Sequence, residues 1–170
     1  MTTVSLRRAR VRHGPLEALH GITLAAAGPG VTVLLGRNGS GRTTALRALA
    51  GVVPLAAGAV VWDGVDVTRT PAYERARRGM CLVPERRAVF GSLTVRENLE
   101  LVSSSPDMAL EAYPALVPLL ARRAGTLSGG EQRMLALSRA LLARGGGGGG
   151  GGPPPGVATA GGGRAVDLGG

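Results

Sequence analysis

Residues 36–44 read Gly36-Arg37-Asn38-Gly39-Ser40-Gly41-Arg42-Thr43-Thr44, and this stretch decides the fold. It follows a short apolar run, Val31 to Leu35, and leads into helix-forming residues from Thr43 to Ala50. A continuous apolar run of that length is typical of a strand that is buried on both faces. A glycine-rich loop between such a strand and a helix is the setting of a phosphate-binding loop, and the alternative is an ordinary turn of the same composition.

The residue types in this loop suit a chain of phosphates and its metal ion. Glycines at 36, 39 and 41 let the backbone turn its N–H groups inward, where they and the helix N-terminus can bind an anion. The hydroxyl of Thr43 can bind a Mg²⁺ ion that bridges the β- and γ-phosphates. We therefore predict a nucleoside triphosphate and Mg²⁺ as ligands. The loop residues expected to bind them are Gly36, Asn38, Gly39, Ser40, Gly41, Arg42, Thr43 and Thr44.

Arg42 departs from the usual pattern of such loops, which have lysine at this position. Arginine keeps the positive charge and can contact phosphate oxygens. Its planar, forked head cannot sit as a compact point charge between two phosphates. We expect nucleotide binding to survive this replacement and catalytic positioning to suffer.

Outward from the loop, predicted strands alternate with predicted helices. Apolar or alternating stretches indicate strands at residues 4–11, 22–26, 31–35, 59–62 and 80–83. Helices are predicted at 43–50 and 71–78, the second with proline at its start. The spacings Thr94/Glu97 and Ser128/Glu131 predict two capped helix starts. This order predicts an α/β domain with a largely parallel sheet.

A second motif lies at Leu127-Ser128-Gly129-Gly130-Glu131-Gln132. With the loop at 36–44 ahead of it, it resembles the ATP-binding subunits of ABC transporters, whose signature and Walker A sequences these two stretches match. The resemblance covers about Leu6 to Arg144. It implies a P-loop NTPase fold of the ABC ATPase type, α/β, with an antiparallel β part and a helical signature part. The C-terminal core strands of that fold are expected to be missing from this chain.

The resemblance also implies roles for residues outside the loop. His13 stands where the family usually has an aromatic residue that stacks on adenine, and a surface histidine is the alternative. Glu85 stands at the Q-loop position, normally glutamine, and is expected to approach the nucleotide and its Mg²⁺, so the implied metal ligands are Thr43 and Glu85. Membrane permease subunits would be contacted near Glu85 to Phe90.

In the family two ATP-binding subunits pair head to tail, so each signature segment faces the nucleotide of the second subunit. The residues expected to face it here are Ser128, Gly129, Gly130 and Gln132.

Residues 83–90, 93–99 and 123–126 resemble the subunits that serve branched-chain amino-acid importers, although urea and amide importers have similar ATPases. Such a subunit would lie at the cytoplasmic face of the membrane. The longest apolar stretch, Gly51 to Trp62, is short, contains proline and cannot span a bilayer. No signal peptide is predicted.

The composition supports two further expectations, one about nucleic acid and one about the single cysteine. The net charge is +9, yet all 20 basic residues are arginine and aromatic residues make up only 2%, which leaves little for base stacking. Arginine, alanine, glycine and proline share GC-rich codons, so genome composition accounts for this bias, and we expect no nucleic-acid partner. The single cysteine, Cys81, lies in the apolar stretch Met80 to Val83, so we expect a buried thiol.

The chain changes character after Arg144, where eight glycines and three prolines precede a glycine- and alanine-rich end. We predict a partial ABC ATP-binding domain at 1–144 and a disordered Gly/Pro-rich tail at 145–170. The strand at 31–35 is then expected to lack its partners.

The catalytic residues of the family are not found past the signature segment. There the family has an apolar strand that ends in Asp-Glu, and later a histidine. Here the only acid past Arg144 is Asp167, with no preceding apolar strand, and the only histidines are His13 and His20. The resemblance implies impaired hydrolysis and no catalytic residue. The alternatives are a non-catalytic nucleotide-binding or permease-docking fragment, or the product of a frameshifted, truncated or degenerate reading frame.

Overall fold

The structure is a computed structural model that describes residues 3–28, 32–84, 88–145 and 164–167. Its strands are β1 Thr3–His13, β2 Leu16–Ala27, β3 Thr32–Leu35, β4 Ala57–Trp62, β5 Val65–Asp66 and β6 Arg164–Asp167. Its α-helices are α1 Arg42–Leu49, α2 Ala72–Arg77, α3 Val95–Glu100, α4 Asp107–Ala112 and α5 Gly129–Gly145. Short 3-10 helices span Pro114–Leu119 and Ala124–Thr126. By its internal contacts the chain forms two units, residues 1–80 with 152–170, and residues 81–151.

The larger sheet of the first unit is antiparallel, in the order β2-β1-β4-β5. A two-residue connection, Gly14-Pro15, joins β1 to β2, and so short a link permits only antiparallel pairing. The prediction of a largely parallel sheet is therefore wrong for this part of the chain. The antiparallel β part that the family resemblance implied is confirmed.

A β-bulge keeps the apolar side chains of β1 on the core face. Leu6 and Ala9 are both buried although they are three residues apart, and Arg8 between them has a positive φ of 48°. The extra residue shifts the register between Leu6 and Ala9, so the alternation resumes on the same face. Helix α1 contributes three residues to the core of this unit. The core consists of Leu6, Ala9, Val11, Leu19, Leu24, Ala45, Ala48, Leu49, Val60 and Val67.

β3 has a partner, contrary to the expectation that it lacks one. β6 pairs with it in parallel, with Leu34 opposite Val166 and Leu35 opposite Asp167. A short apolar strand leaves backbone donors and acceptors unpaired unless a neighbour binds them, and Arg164–Asp167 supplies that neighbour. The prediction of disorder is therefore wrong for these four residues, and Asp167 does end a strand. The rest of the predicted tail after residue 145 lies outside the described residues, and the division at 144/145 stays a prediction.

The second unit is helical. Both capping boxes predicted from the sequence form, one at Thr94/Glu97 before α3 and one at Ser128/Glu131 before α5. Its core is apolar and draws on all three helices: Val95, Leu99, Ala109, Leu116, Ala124, Leu127, Leu135 and Leu142. Across the described part of the chain, no helix is long and apolar enough to cross a membrane.

The stretch Met80 to Val83 is not a strand, although its apolar character predicts one. A strand needs a neighbour for its backbone hydrogen bonds, and none of the described strands pairs with this stretch. Cys81 is accordingly exposed, so the expectation of a buried thiol is wrong.

Candidate nucleotide-binding site

The glycine-rich loop connects the end of β3 at Leu35 to the start of α1 at Arg42. Its three glycines all have positive φ, 151° at Gly36, 90° at Gly39 and 85° at Gly41. L-residues with side chains rarely adopt such values, so this backbone path depends on glycine at each position. The turn is closed by the Ser40 N–H, which donates to the Arg37 carbonyl over 3.1 Å. The predicted strand, loop and helix are confirmed in this order.

The N-terminus of α1 is left open. Gly41 is the N-cap, no side chain caps the helix, and its first turn contains no acidic residue. The first turn of a helix has N–H groups without intrahelical partners, and the helix dipole adds partial positive charge there. Here the donors of Arg42, Thr43 and Thr44 belong to that first turn. This end of α1 therefore fits an anion such as a phosphate group.

Ser40 supplies a second sign that the loop is built for a ligand. Its Oγ atom is buried and has no hydrogen-bond partner among the described residues. A buried hydroxyl without a partner costs free energy, so such atoms are uncommon outside sites that receive something else. A Cβ atom on Gly36 would collide with this hydroxyl, which shows how closely the two ends of the loop approach.

Arg42, the residue that replaces the usual lysine, begins α1 and is half-buried. Its Nη2 atom lies 3.4 Å from Asn38 Oδ1, a long hydrogen bond across the loop. A guanidinium held so weakly can turn toward phosphate oxygens at little cost. Two of the predicted loop residues thus already contact each other, at the side where the loop is exposed.

The predicted metal ligands are only partly described. Thr43 is exposed in the first turn of α1, where its hydroxyl is accessible to a magnesium ion held between phosphates. Glu85 lies outside the described residues. No group of three or more His, Cys, Asp or Glu side chains that could hold a metal occurs among the residues that are described. The donor set present fits Mg²⁺ bound mainly by phosphates and water, with few protein ligands.

His13 is the last residue of β1, next to the Gly14-Pro15 turn, and is exposed. The opposite strand approaches the loop, because a Cβ atom on Gly41 would lie 2.6 Å from Leu19 Cδ2 and 2.7 Å from the Ala18 carbonyl oxygen. The strand pair that carries His13 therefore packs against the phosphate loop. The stacking of His13 on adenine stays a prediction.

The signature segment starts helix α5 in the second unit. The Ser128 N–H donates to Glu131 Oε2 over 2.7 Å, and the Glu131 N–H donates to Ser128 Oγ over 3.3 Å. The Glu131 carboxylate therefore already lies at the positive end of this helix. The pKa of Glu131 is lowered by the Ser128 N–H and then by the Ser128 hydroxyl, so both groups of Ser128 are engaged in this capping box.

The two signature glycines have no packing role in their own unit. A Cβ atom on Gly129 or Gly130 would meet no atom within 4 Å, apart from the helix backbone itself. Glycine inside a helix costs about 1 kcal/mol relative to alanine.

Gln132 has a structural role within its own unit. Its Nε2 atom donates to the carbonyls of Ala124 and Leu127, each over 3.2 Å. Its amide nitrogen thus holds the turn that precedes α5, and contact of Gln132 with a nucleotide stays a prediction.

Three side chains that fix loops could not be predicted from the sequence. Asn98 of α3 binds both the N–H and the carbonyl of Phe90 at 2.9 Å, and Arg139 of α5 donates to the Ala88 carbonyl at 2.9 Å. The third is Arg75 of α2, which is almost fully buried. Each acts on backbone groups distant in sequence, so no local pattern could have revealed it.

Comparison with known proteins agrees with this geometry. The family described as ABC transporter matches residues 19–145. The high-affinity branched-chain amino acid transport ATP-binding protein BraG of Pseudomonas aeruginosa is 34% identical over 150 residues, which cover 83% of this chain and 64% of that protein. The probable branched-chain amino acid transport ATP-binding protein LivF of Archaeoglobus fulgidus is 37% identical over 123 residues, covering 67% of this chain and 52% of the relative. The chain thus spans between half and two thirds of the length of these relatives.

A solved structure, the nucleotide-free ATP-binding cassette from an ABC transporter, matches with a TM-score of 0.74 at 23% identity, covering 84% of this chain and 66% of the other. That similarity shows a common fold. The family match adds both motifs, since residues 19–145 include the phosphate loop and the signature segment. This chain therefore belongs to the ABC transporter family, among its ATP-binding subunits.

Proposed function

We propose that this chain binds Mg-ATP as part of an ABC importer for branched-chain amino acids. The observation that carries the proposal is the open, uncapped N-terminus of α1 behind a loop of three positive-φ glycines. Mg²⁺ bound to the β- and γ-phosphates would neutralise part of their charge. The chain's own part is to donate backbone N–H groups of residues 42–44, the Arg42 guanidinium and the Thr43 hydroxyl to that ligand.

The proposed solute rests on the relatives. The two proteins compared above are both named for branched-chain amino acid transport. The sequence stretches at 83–90, 93–99 and 123–126 favour the same group of importers. Uptake, rather than export, is proposed on the same basis, and so is a position at the cytoplasmic face of the membrane.

A second ATP-binding subunit is the proposed partner of the signature segment. Gly129 and Gly130 lie at the start of α5 with open space where side chains would be, although alanine would suit a helix better. Glycine there allows close approach by another molecule. We propose that the phosphates bound to the loop of one subunit approach Ser128, Gly129 and Gly130 of the other.

Membrane permease subunits are the proposed partners of the segment that ends at Phe90. The Phe90 side chain is 51% exposed, and the Arg139 guanidinium lies 4.8 Å from the centre of its ring. Asn98 fixes the Phe90 backbone through hydrogen bonds to its N–H and carbonyl groups. An exposed aromatic side chain held in one position suits a permanent contact with another protein.

Impaired hydrolysis is also part of the proposal. Past α5 the sequence contains one acidic residue, Asp167, and no glutamate or histidine. A polypeptide of this sequence is therefore proposed to bind Mg-ATP without turning it over at an enzyme's rate.

Titration calorimetry of the full chain with ATP, in the presence and absence of Mg²⁺, tests nucleotide binding. We expect binding by the unmodified chain, and about tenfold weaker binding of Mg-ATP by Thr43→Val, the size of one lost ligand interaction. Valine preserves the shape of Thr43, so binding of ATP without Mg²⁺ is expected to stay nearly unchanged and serves as the internal control. A folded unmodified chain that does not bind ATP would contradict the proposal.

A further inference from the structure

Arg75 is the most unusual side chain of the first unit. It lies on α2, only 2% of it is exposed, and it is the largest of the fully buried side chains. No carboxylate is within ion-pair distance of it among the described residues. A buried cation of this kind is costly unless hydrogen bonds replace its hydration.

The guanidinium has five N–H donors, and each binds a backbone carbonyl. Nε donates to Thr70, Nη1 donates to Ala48 and Leu49, and Nη2 donates to Val67 and Thr68, over 2.5–3.2 Å. This uses the full donor capacity of arginine. Burial lowers the pKa of Arg75, and the distant charge of Asp66 acts in the opposite direction. Arginine stays protonated despite such a shift, so the five bonds persist at any physiological pH.

Two of the five carbonyls belong to the last turn of α1. Carbonyls at the end of a helix lack the regular intrahelical donors, and the helix dipole makes this end negative. The Ala48 carbonyl also accepts the Gly51 N–H over 3.0 Å. Arg75 thus caps the C-terminus of the same helix whose N-terminus meets the loop. The other three carbonyls belong to residues 67–70, which follow β5, so the guanidinium ties the end of α1 to the sheet.

Gly51 shows how closely the chain passes this guanidinium. Its φ is +76°, and a Cβ atom there would lie 2.9 Å from Arg75 Nε and 3.0 Å from Cζ. The chain leaving α1 therefore closes over Arg75. Little room remains for the helix end to move relative to α2.

Because α1 is short and rigid, hydrogen bonds that fix its C-terminus also affect the position of its N-terminus at the loop. Eight residues form a rod of about 12 Å, so a tilt of about 5° at one end displaces the other by about 1 Å. Phosphate binding depends on N–H groups that are aimed at one point, and a misplacement of about 1 Å can cost up to two orders of magnitude in function. A fixed C-terminus is therefore a condition for a fixed N-terminus.

We propose that Arg75 is a positioning residue for the phosphate loop, because it binds the C-terminal carbonyls of α1 and fixes the direction in which the first-turn N–H groups of that helix point. The inference rests on the proposed nucleotide binding. Arg75 itself has no donor left for a ligand, so its effect is transmitted through α1.

The test compares Arg75→Met and Arg75→Lys with Leu24→Ala in the full chain. Leu24 is a buried residue of β2, and its truncation destabilises the same core without touching α1 carbonyls. All Kd values for Mg-ATP are measured at a temperature where circular dichroism shows each variant folded. We expect Arg75→Met to raise Kd about tenfold or more, whereas Leu24→Ala, with a similar loss of Tm, leaves Kd within about twofold.

Hydrogen exchange without nucleotide gives an independent readout. We expect the amides of Thr43 and Thr44 to exchange faster in Arg75→Met than in Leu24→Ala, because only the former frees α1. If Arg75→Met does not fold, Arg75→Lys decides the question, since lysine has three donors in a different geometry and cannot bind all five carbonyls. If a folded Arg75 variant has the same Kd and the same amide exchange as the unmodified chain, the inference about Arg75 is overturned and the proposed function stands. No binding by the unmodified chain overturns the proposed function, and the inference with it.

Discussion

At the scale of single residues, glycines of the phosphate loop serve different purposes. A Cβ atom on Gly41 would collide with Leu19 and the Ala18 carbonyl, whereas a Cβ atom on Gly39 would meet no atom within 4 Å. Gly41 is thus required by the packing of the loop on β2, in addition to any contact with phosphate. Substitution of Gly41 would disturb the fold as well as the site. Thr43, which is exposed, offers a cleaner variant for functional experiments.

Ser138 and Ser128 make a matched pair for a stability prediction. Ser138 is fully buried in the middle of α5 and its Oγ atom has no hydrogen-bond partner among the described residues, while Ser128 caps the same helix. We expect Ser138→Ala to leave stability unchanged or raise it by up to about 1 kcal/mol, since it removes an unsatisfied polar group. Ser128→Ala is expected to cost about 1 kcal/mol by loss of the cap.

Urea denaturation of both variants and the unmodified chain measures these differences. The chemical change is identical in the two variants, but Ser128 lies outside the helix, so the higher helix propensity of alanine favours Ser138→Ala alone. A loss of stability in Ser138→Ala as large as that in Ser128→Ala would mean that the Ser138 hydroxyl has a partner, such as a buried water.

The residues of the loop were predictable and those that fix it were not. Positive φ angles, a helix start and a phosphate ligand all require glycine locally, so residues 36, 39 and 41 reveal themselves in the sequence. Arg75 looks like any arginine on a short helix. Its five acceptors come from residues 48–70 and are brought together only by the fold.

At the scale of secondary-structure elements, the starts of helices α1, α3 and α5 differ in what occupies them. α3 and α5 each have a glutamate in a capping box, whereas α1 has neither a capping side chain nor an acid in its first turn. The protein thus satisfies the positive ends of α3 and α5 internally. Among these three helices, only α1 has no internal acceptor side chain at its positive end.

The capping box of α5 predicts a pH dependence of stability. The pKa of Glu131 is lowered by the N–H of Ser128 and then by its hydroxyl. A carboxyl group whose pKa is lower in the folded chain stabilises the fold fully above its unfolded value, about 4.3, and loses this contribution as pH falls through the folded value. We expect the stability difference between the unmodified chain and Glu131→Gln to be largest near neutral pH and to shrink in acid.

Urea denaturation at a series of pH values, from about 7 down to about 3, checks this expectation. Glu111→Gln, which removes one exposed carboxylate from α4, is the control for net charge. The cap explanation fails if Glu131→Gln and Glu111→Gln show the same pH profile.

Elements whose signals are local were predictable, and those that need a distant partner were not. The capping boxes and the strand, loop and helix around residue 36 depend on residues within a few positions of one another. Whether an apolar stretch becomes a strand depends on a neighbour for its backbone. Met80–Val83 has none among the described strands, while Arg164–Asp167, in a glycine-rich context, pairs with β3.

At the scale of the whole molecule, binding and hydrolysis make different demands on the chain. Hydrolysis requires the phosphates held, Mg²⁺ held and a water molecule aligned. The loop, with arginine in place of lysine, is proposed to meet the first demand, and Thr43 is proposed to contribute to the second. Asp167 ends the strand beside β3, and aspartate is a suitable residue type for a metal. One carboxylate cannot both bind the metal and align the water.

Within the part of the chain that the structure describes, the signature segment supplies no group for the third demand. Glu131 accepts the Ser128 N–H, and its lowered pKa makes it a poor base. We therefore expect the full chain to bind Mg-ATP but to release phosphate far more slowly than an ordinary enzyme, which turns over at about 1–1000 s⁻¹. Arg42→Lys should not restore turnover, because it improves the phosphate contact and leaves the water unaligned. Appending the family's C-terminal segment, with its Asp-Glu strand and later histidine, should restore it.

The rate of ATP turnover is measured as phosphate release by the purified full chain, by Arg42→Lys and by the extended chain. Thr43→Val is introduced into each of them as the control for contaminating ATPases. Activity that persists in Thr43→Val does not depend on the loop and is discounted. The expectation is contradicted if the unextended chain turns over ATP at about 1 s⁻¹, an ordinary enzyme rate, and loses this activity in Thr43→Val. Such a result would require a group that aligns water within these 170 residues. Asp167→Asn would then be the first variant to examine, since Asp167 is the one acid beyond α5.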